Sequence, residues 1–409
     1  MRIGAGGNRN PRRRRARALA VLALTVCVMG STLLLGGALA QTISRTSGHR
    51  PVSISAILNP GDITTGVRGT TNGKVILTGS VPVGQGSEVA PFLFQGRLNS
   101  SAAGADVSVL TPRFRGVTTA TLYGPNTHSF NPGIPPGRVR AVGSYQSSSS
   151  PAGVLNHGMI YLGPVSGRRG SWTTIDVPAD GKNTVGHVRA CPRVRRNCVV
   201  MDTIAHSTMG DLVVGNYDLS PGVPGGVASG NAFIYNMTKH RWTLLRLGGS
   251  LSSGTTLYGI WQDGGPSSPN YTLVGGSSAH GSKPRGNQRA LVMNYNERTG
   301  VFGKPKFYTY GNSPAALTHF EGITAVPGGF NVVAVSSGKA PAMAFIPVMG
   351  GGSFGRAKWY PADVGASQLC TGGCTVVTGN TVYKNRIMGV YHPNGAPHPS
   401  TYLAVVAGR

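Results

Sequence analysis

Apolar and polar residues alternate in short runs along most of this chain, and glycine-rich turns break the runs. Such runs predict β-strands. No long segment shows the 3.6-residue apolar period of an amphipathic helix. One strand type recurs six times in order: "GKVILTGSV" (73–81), "GRVRAVGSY" (137–145), "GDLVVGNY" (210–217), "NYTLVGGSS" (270–278), "GFNVVAVSS" (329–337) and "NRIMGVYHP" (385–393). Each is followed by a second apolar strand, namely "VAPFLFQGRL", "NHGMIYLGPV", "GNAFIYNMTK", "QRALVMNYNE", "APAMAFIPVM" and "STYLAVV". Five copies carry a further strand, "ADVSVLTP", "GSWTTIDVP", "HRWTLLRL", "KFYTYGN" and "AKWYPADV". The sixth copy ends at Arg409, and the strand it lacks stands near the other end as "PVSISAIL" (51–58).

A small antiparallel sheet cannot bury both of its faces alone. Sheets packed radially bury one another, and a ring must close. The complementary ends therefore predict an all-β, six-bladed β-propeller in which an N-terminal strand completes the last blade. The blades fall near residues 62–112, 116–179, 198–248, 252–311, 316–365 and 371–409 with 51–58, in a single domain over 41–409. An open solenoid or a pair of sandwiches is the rival, but a solenoid needs atypical capping repeats. The segment 180–198 lengthens one repeat and reads as a basic insertion. Trp172, Trp242, Trp359 and Phe307 take corresponding places in the final strands and read as a packing column between blades.

The strand preceding each of the six turns is expected to line the propeller axis. Aligning "THFEGI" (318–323) on "TTLYGI" (255–260) gives a glycine column of Gly69, Gly124, Thr203, Gly259, Gly322 and Gly379. The residues just before it are Arg68, Tyr123, Asp202, Tyr258, Glu321 and Thr378, a polar ring around the channel. Only 12 acidic residues stand against 38 Lys and Arg, so two acids in this ring are conspicuous. Asp202 and Glu321 are the candidate catalytic pair, since glycoside hydrolysis works with two carboxylates flanking the bond. His206 follows Asp202 by four residues on one strand face and is a candidate general base. His319 shares a face with Glu321 in the same way. Arg68, Tyr123 and Tyr258 are candidate ligand contacts, with Trp261 an aromatic platform at the channel mouth. The competing reading is a ring that only binds water or pairs internally. No spacing demands a metal, and no cofactor motif is present.

Residues 1–40 change the compartment. Arg12 to Arg15 and Arg17 precede an uncharged stretch that ends Ala38-Leu39-Ala40, the pattern of a secretory signal cleaved after Ala40. The expected location is secreted or periplasmic. A retained N-terminal membrane anchor with the propeller outside is the alternative. Of the five cysteines, Cys191, Cys198, Cys370 and Cys374 lie past this segment, an even number that suits disulfides in "CPRVRRNC" and "CTGGC". Removing the seven arginines of residues 1–40 leaves 31 Lys and Arg against 12 acids, a net charge near +19. Arg193, Arg195 and Arg196 concentrate that charge in the insertion and are candidate contacts to an anionic polysaccharide or cell-envelope polymer. A protein partner or peripheral contact with an anionic membrane surface fits the same charge. No nucleic-acid-binding motif accompanies it.

The G-I-x-G…VVG…AFIY…W texture, with Asn231-Ala232-Phe233 and Ala342-Met343-Ala344-Phe345, resembles the extracellular HAF repeats, although the His of their signature is absent. That resemblance implies a secreted β-rich module and no chemistry. Two functions follow. One is a binding or scaffold propeller for an anionic glycan, surface polymer or protein. The alternative is an extracellular polysaccharide hydrolase or lyase using Asp202 and Glu321.

Overall fold

The computed structural model describes residues 52–406 apart from 85–86, 100–101, 103–104, 192–197, 221–229, 246, 248–253, 279–288, 311–316, 338, 363–368 and 371. Residues 1–40, expected to be a secretory signal, and Arg193, Arg195 and Arg196 lie outside the described residues. Among the described residues no helix is long and apolar enough to cross a membrane.

Alternating runs become six antiparallel sheets, each a blade. The inner strands are Ile63–Gly69, Val117–Thr127, Val200–Met209, Thr255–Asp263, Thr318–Val326 and Cys374–Tyr383 for blades 1 to 6. Each pairs with the recurrent second strand, which pairs with the third and then the outer strand. In blade 6 the outer strand is Val52–Ala56, which runs antiparallel to Ser400–Val406 with Val52 opposite Val406 and Ala56 opposite Tyr402. The ring is closed by strand exchange between the two ends, as the repeats predict.

The apolar core is distributed along the seams. Six clusters of buried side chains each draw on two neighbouring blades. Phe92, Leu93, Tyr161, Phe233, Phe320 and Tyr402 are among the fully buried side chains that fill them. Trp172, Trp242 and Trp359 face Tyr161, Tyr235 and Ala344 on the third strands, equivalent places in blades 2, 3 and 5. Phe307 does not join that column. Blade 4 splits its outer edge into Val301–Phe302 and Lys306–Tyr308, and Phe307 faces Leu291, two ladder positions away.

Both local disulfides are formed, Cys191–Cys198 and Cys370–Cys374. The described part of the insertion covers an edge. Thr184 bridges to Trp242, and Trp242 N donates to Asn183 O at 2.9 Å, so the segment protects the outer strand of blade 3.

Candidate functional site

Every inner strand carries a β-bulge. The ladder to the second strand skips Thr65 in blade 1, Tyr123 with Gly124 in blade 2, His206 in blade 3, Tyr258 in blade 4, Glu321 in blade 5 and Asn380 in blade 6. A skipped residue has no cross-strand partner, and the kink re-aims its side chain. Here the kink faces the axis.

The second-strand glycines explain how five of the six bulges fit. Just before the skipped residue, the partners are Gly79, Gly143, Gly215, Gly275, Ala334 and Gly389. A Cβ on the five glycines would lie 1.8 to 2.1 Å from the carbonyl oxygens of Ile63, Thr121, Ile204, Thr256 and Thr378. Only glycine admits so close an approach of two backbones. The recurrent glycine of the second strand is therefore the counterpart of the bulge.

The bulges also correct the ring. Tyr123, Tyr258 and Glu321 are in it. Arg68, Asp202 and Thr378 are displaced along their strands, and Thr65, His206 and Asn380 take their levels. A glycine-keyed alignment failed in blade 3, where Ser207 follows the bulge. It failed also in blade 1, where Gly69 competes with Gly66, and in blade 6, where Gly379 precedes the skipped Asn380.

One arc of the ring is continuous. The Tyr123 ring lies 5.0 Å from that of His206, His206 lies 4.6 Å from Tyr258, and Tyr258 lies 5.2 Å from His319. His319 Nε2 and Glu321 Oε1 are 2.6 Å apart, which closes the arc on a carboxylate. The i,i+2 placement of His319 and Glu321 on one face is as expected. The remaining arc is polar: Thr65 Oγ1 donates to Leu122 O, Thr378 Oγ1 to Asn380 Oδ1, and Asn380 Nδ2 to Thr64 O at 2.9 Å.

Burial lowers the pKa of His206 to about 4; Glu321 opposes that shift and His319 adds to it. His206 is thus a neutral imidazole above pH 5 and can accept one hydrogen bond and donate another. The unfolded chain protonates near 6.5, so this group's contribution to stability is complete above 6.5 and is lost as pH falls toward 4. The contribution is about 3 kcal/mol at most. Asp218 and Asp263, both raised to about 6 by burial, act in the opposite sense as pH falls. The His206→Gln variant isolates the term: urea midpoints measured from pH 7 to 4 should fall less steeply than in the wild type. Parallel curves would contradict the neutral, enclosed imidazole.

Asp202 has a different neighbourhood. Its Oδ1 accepts from Asn156 Nδ2, and it stands opposite Asp218, whose Oδ1 accepts from Gly230 N at 2.7 Å. Burial raises the pKa of both, and Asp202 adds to the rise at Asp218. The expected Asp202–His206 pair does not form, because the bulge at His206 breaks the two-residue alternation that would align the side chains. Nor does Asp202 share the surroundings of Glu321.

Three residues beyond the bulges a side chain reaches across the axis. Arg68 of blade 1 lays its guanidinium 5.3 Å from the Trp261 ring of blade 4, the blade opposite, and 5.7 Å from the Phe130 ring of the blade 2 hairpin. Phe130 meets Trp261 edge-on at 5.5 Å. Arg68 is 5 % exposed, and its Nε donates to Pro125 O at 3.2 Å. Burial lowers its pKa to about 10, so it stays cationic at neutral pH. No carboxylate pairs with it among the described residues. Trp261 is accordingly part of a cation–π floor instead of a platform at the mouth.

Among the described residues no group of three or more His, Cys, Asp and Glu side chains could hold a metal. On the face of the hairpin turns, a recess of about 270 Å³ is lined by Asp211, Lys239, Tyr271 and Glu297. Three of its charged groups are already bonded: Tyr271 OH and Lys239 Nζ donate to Glu297, and Thr238 Oγ1 to Asp211.

Fold and site together define a six-bladed propeller with a polar, aromatic axial ring beside a cation–π cluster of Arg68, Phe130 and Trp261. No protein-family model and no curated protein matches the chain. Solved structures do. An α-L-arabinofuranosidase from Fusarium graminearum, in complex with an iminosugar inhibitor, is similar over 87 % of this chain and 97 % of its own, with 12 % identity and a TM-score of 0.51. An α-L-arabinanase from Penicillium chrysogenum complexed with arabinobiose matches over 88 % and 99 %, with 10 % identity and a TM-score of 0.46. A sialidase from Trypanosoma rangeli matches over 87 % and 57 %, with 8 % identity and a TM-score of 0.47. The first likeness is one of fold. It supports a six-bladed β-propeller and does not point specifically to HAF-type repeats.

Proposed function

We propose that this protein is a carbohydrate-active propeller that receives a glycan at the axial ring and hydrolyses it with Glu321 as the acid–base carboxylate. The observation that carries this reading is Glu321 itself, a bulged carboxylate facing the axis, 2.6 Å from His319 and next to the arc of Tyr258, His206 and Tyr123. Tyrosine faces suit the apolar face of a sugar ring, while imidazole, amide and hydroxyl groups suit its hydroxyls. His319 holds Glu321 by a short hydrogen bond and keeps the carboxylate turned toward the ligand. Proton transfer by a positioned carboxyl group is worth about 10²–10⁴ in rate. The fold shared with an arabinofuranosidase supports a glycoside as the substrate class.

A second reading, glycan binding without turnover, is favoured by Asp202. Hydrolysis needs two carboxylates, and Asp202 is bonded to Asn156 and stands opposite Asp218, away from Glu321. The secreted location and the anionic-polymer partner remain part of the proposal, drawn from residues 1–40 and the net charge.

The test is a screen of arabino-oligosaccharides and uronate-containing oligosaccharides with the wild type and Glu321→Gln. Hydrolysis reduced about a hundredfold by the substitution supports the enzyme. Micromolar binding with no turnover supports the second reading. Neither binding nor turnover in the wild type overturns both.

A further inference from the structure

Ser150, His157 and Asp176 of blade 2 form a hydrogen-bonded chain that the axial site does not use. Ser150 Oγ is 2.8 Å from His157 Nε2, and His157 Nδ1 is 2.8 Å from Asp176 Oδ2. A carboxylate on Nδ1 fixes the neutral tautomer with its proton there. Nε2 is then the acceptor, and Ser150 must donate to it.

The three residues come from neighbouring strand ends. Ser150 lies in the turn after the second strand, Arg138–Ser147. His157 opens the third, His157–Pro164, and Asp176 follows the outer strand, Ser171–Ile175. The register sets Tyr145 opposite His157 and Ile175 opposite Gly158, so the ladder brings the His and Asp ends together. The Tyr145 ring stacks on the imidazole at 5.0 Å and 23°, and its hydroxyl lies 2.8 Å from Thr174 Oγ1, which holds the ring. The Ser147 and Ser149 hydroxyls both donate to Arg115 O, at 2.7 and 3.0 Å, and tether the turn that carries Ser150. A nucleophile, a base and an orienting group are therefore all held in place, with the order of roles that acyl transfer requires.

We propose that Ser150, His157 and Asp176 are a catalytic triad that hydrolyses carboxylic esters carrying a short acyl group. Ser150 Oγ attacks the ester carbonyl carbon as its proton passes to His157 Nε2. The tetrahedral adduct collapses, the bond to the alcohol oxygen breaks, and the alcohol leaves with the proton from Nε2. Water repeats the sequence on the acyl-serine: Nε2 takes its proton, the acid departs, and Ser150 is restored. Asp176 remains ionised throughout and stabilises the imidazolium.

The surroundings set the substrate class. Among the described residues the amides of Ala152 and Gly153, in the turn just after Ser150, have no intramolecular acceptor, so they are the donors available to the carbonyl oxygen. Leu155, 52 % exposed on the same turn, offers a small apolar contact for an acyl chain. Its modest size favours acetyl over long acyl groups. The hydrogen bond that His157 Nδ1 donates to Asp176 raises the pKa of His157, against the effect of burial. The rate should then fall as pH drops through a value above the ordinary 6.5.

The test uses the full chain with p-nitrophenyl acetate and a fluorophosphonate label read by peptide mass spectrometry. Ser150 should carry the label, and Ser150→Ala and His157→Gln should each lower turnover about a hundredfold or more. Asp176→Asn should lower it as well, because the amide can donate and would favour the other tautomer. Ser150 lies on a surface turn, so its replacement leaves the fold intact. Label on other residues, or equal turnover in wild type and Ser150→Ala, would reduce the chain of hydrogen bonds to a structural tie and overturn the proposal.

Discussion

Deletion of Val52–Ala56 is expected to lower stability by about 5 kcal/mol, at roughly 1 kcal/mol net for each ladder hydrogen bond. These residues pair over their full length with Ser400–Val406 and form the outer strand of blade 6. Without them, that strand presents unpaired amides and carbonyls along an open edge. Exposed edges recruit other chains, so the second expected change is loss of the monodisperse species. Neither outcome depends on the axial chemistry. Thermal unfolding and light scattering check both. An unchanged Tm with a single monodisperse peak would mean that the ring does not rely on its closing strand.

Gly66→Ala is expected to be nearly as damaging, at about 4 kcal/mol or more, which places it among the exceptional single substitutions. A Cβ here would stand 1.5 Å from the carbonyl oxygen of Tyr123 and 2.5 Å from Thr78 Oγ1. The first clash is with backbone of the next blade, which cannot rotate away. That same carbonyl accepts a hydrogen bond from Thr78 Oγ1, so moving it also breaks the seam between blades 1 and 2. Relief would require separating the blades at the level of the ring. Gly350→Ala is the control, because a Cβ there meets nothing within 4 Å. Its effect should stay within about 0.5 kcal/mol. Equal urea midpoints for the two variants would contradict the inter-blade approach at Gly66.

Blade number, strand order and closure were legible in the chain because each rests on a repeated local signal. The glycine-punctuated second strand recurs six times, and the two ends supply complementary strands. Tyr123, Tyr258 and Glu321 were found for the same reason. Their neighbours in the ring were not, because a bulge shifts register by one residue and leaves no unique residue type behind. Ser207 follows the bulge of blade 3 where blades 4 and 5 have Gly259 and Gly322, so a glycine-keyed alignment points to Asp202 for the ring and misses His206. The useful signal lay on the opposite strand. Gly79, Gly143, Gly215, Gly275 and Gly389 mark the bulge level in blades 1, 2, 3, 4 and 6, with Ala334 in blade 5.

Other features were invisible for a different reason. Arg68, Phe130 and Trp261 meet across the axis from three blades, and no sequence period links them. Ser150, His157 and Asp176 sit at three strand ends and belong to no motif; only the hairpin register brings them into line.

The most direct measurement is a crystal structure of the protein with a bound arabino- or uronate-containing oligosaccharide. A sugar ring against Tyr258 with a hydroxyl or glycosidic oxygen in hydrogen-bond reach of Glu321, above the floor made by Arg68 and Trp261, is the result the axial site predicts. An oligosaccharide seated only on the outer edges of the blades, with no ligand at the ring, would contradict it.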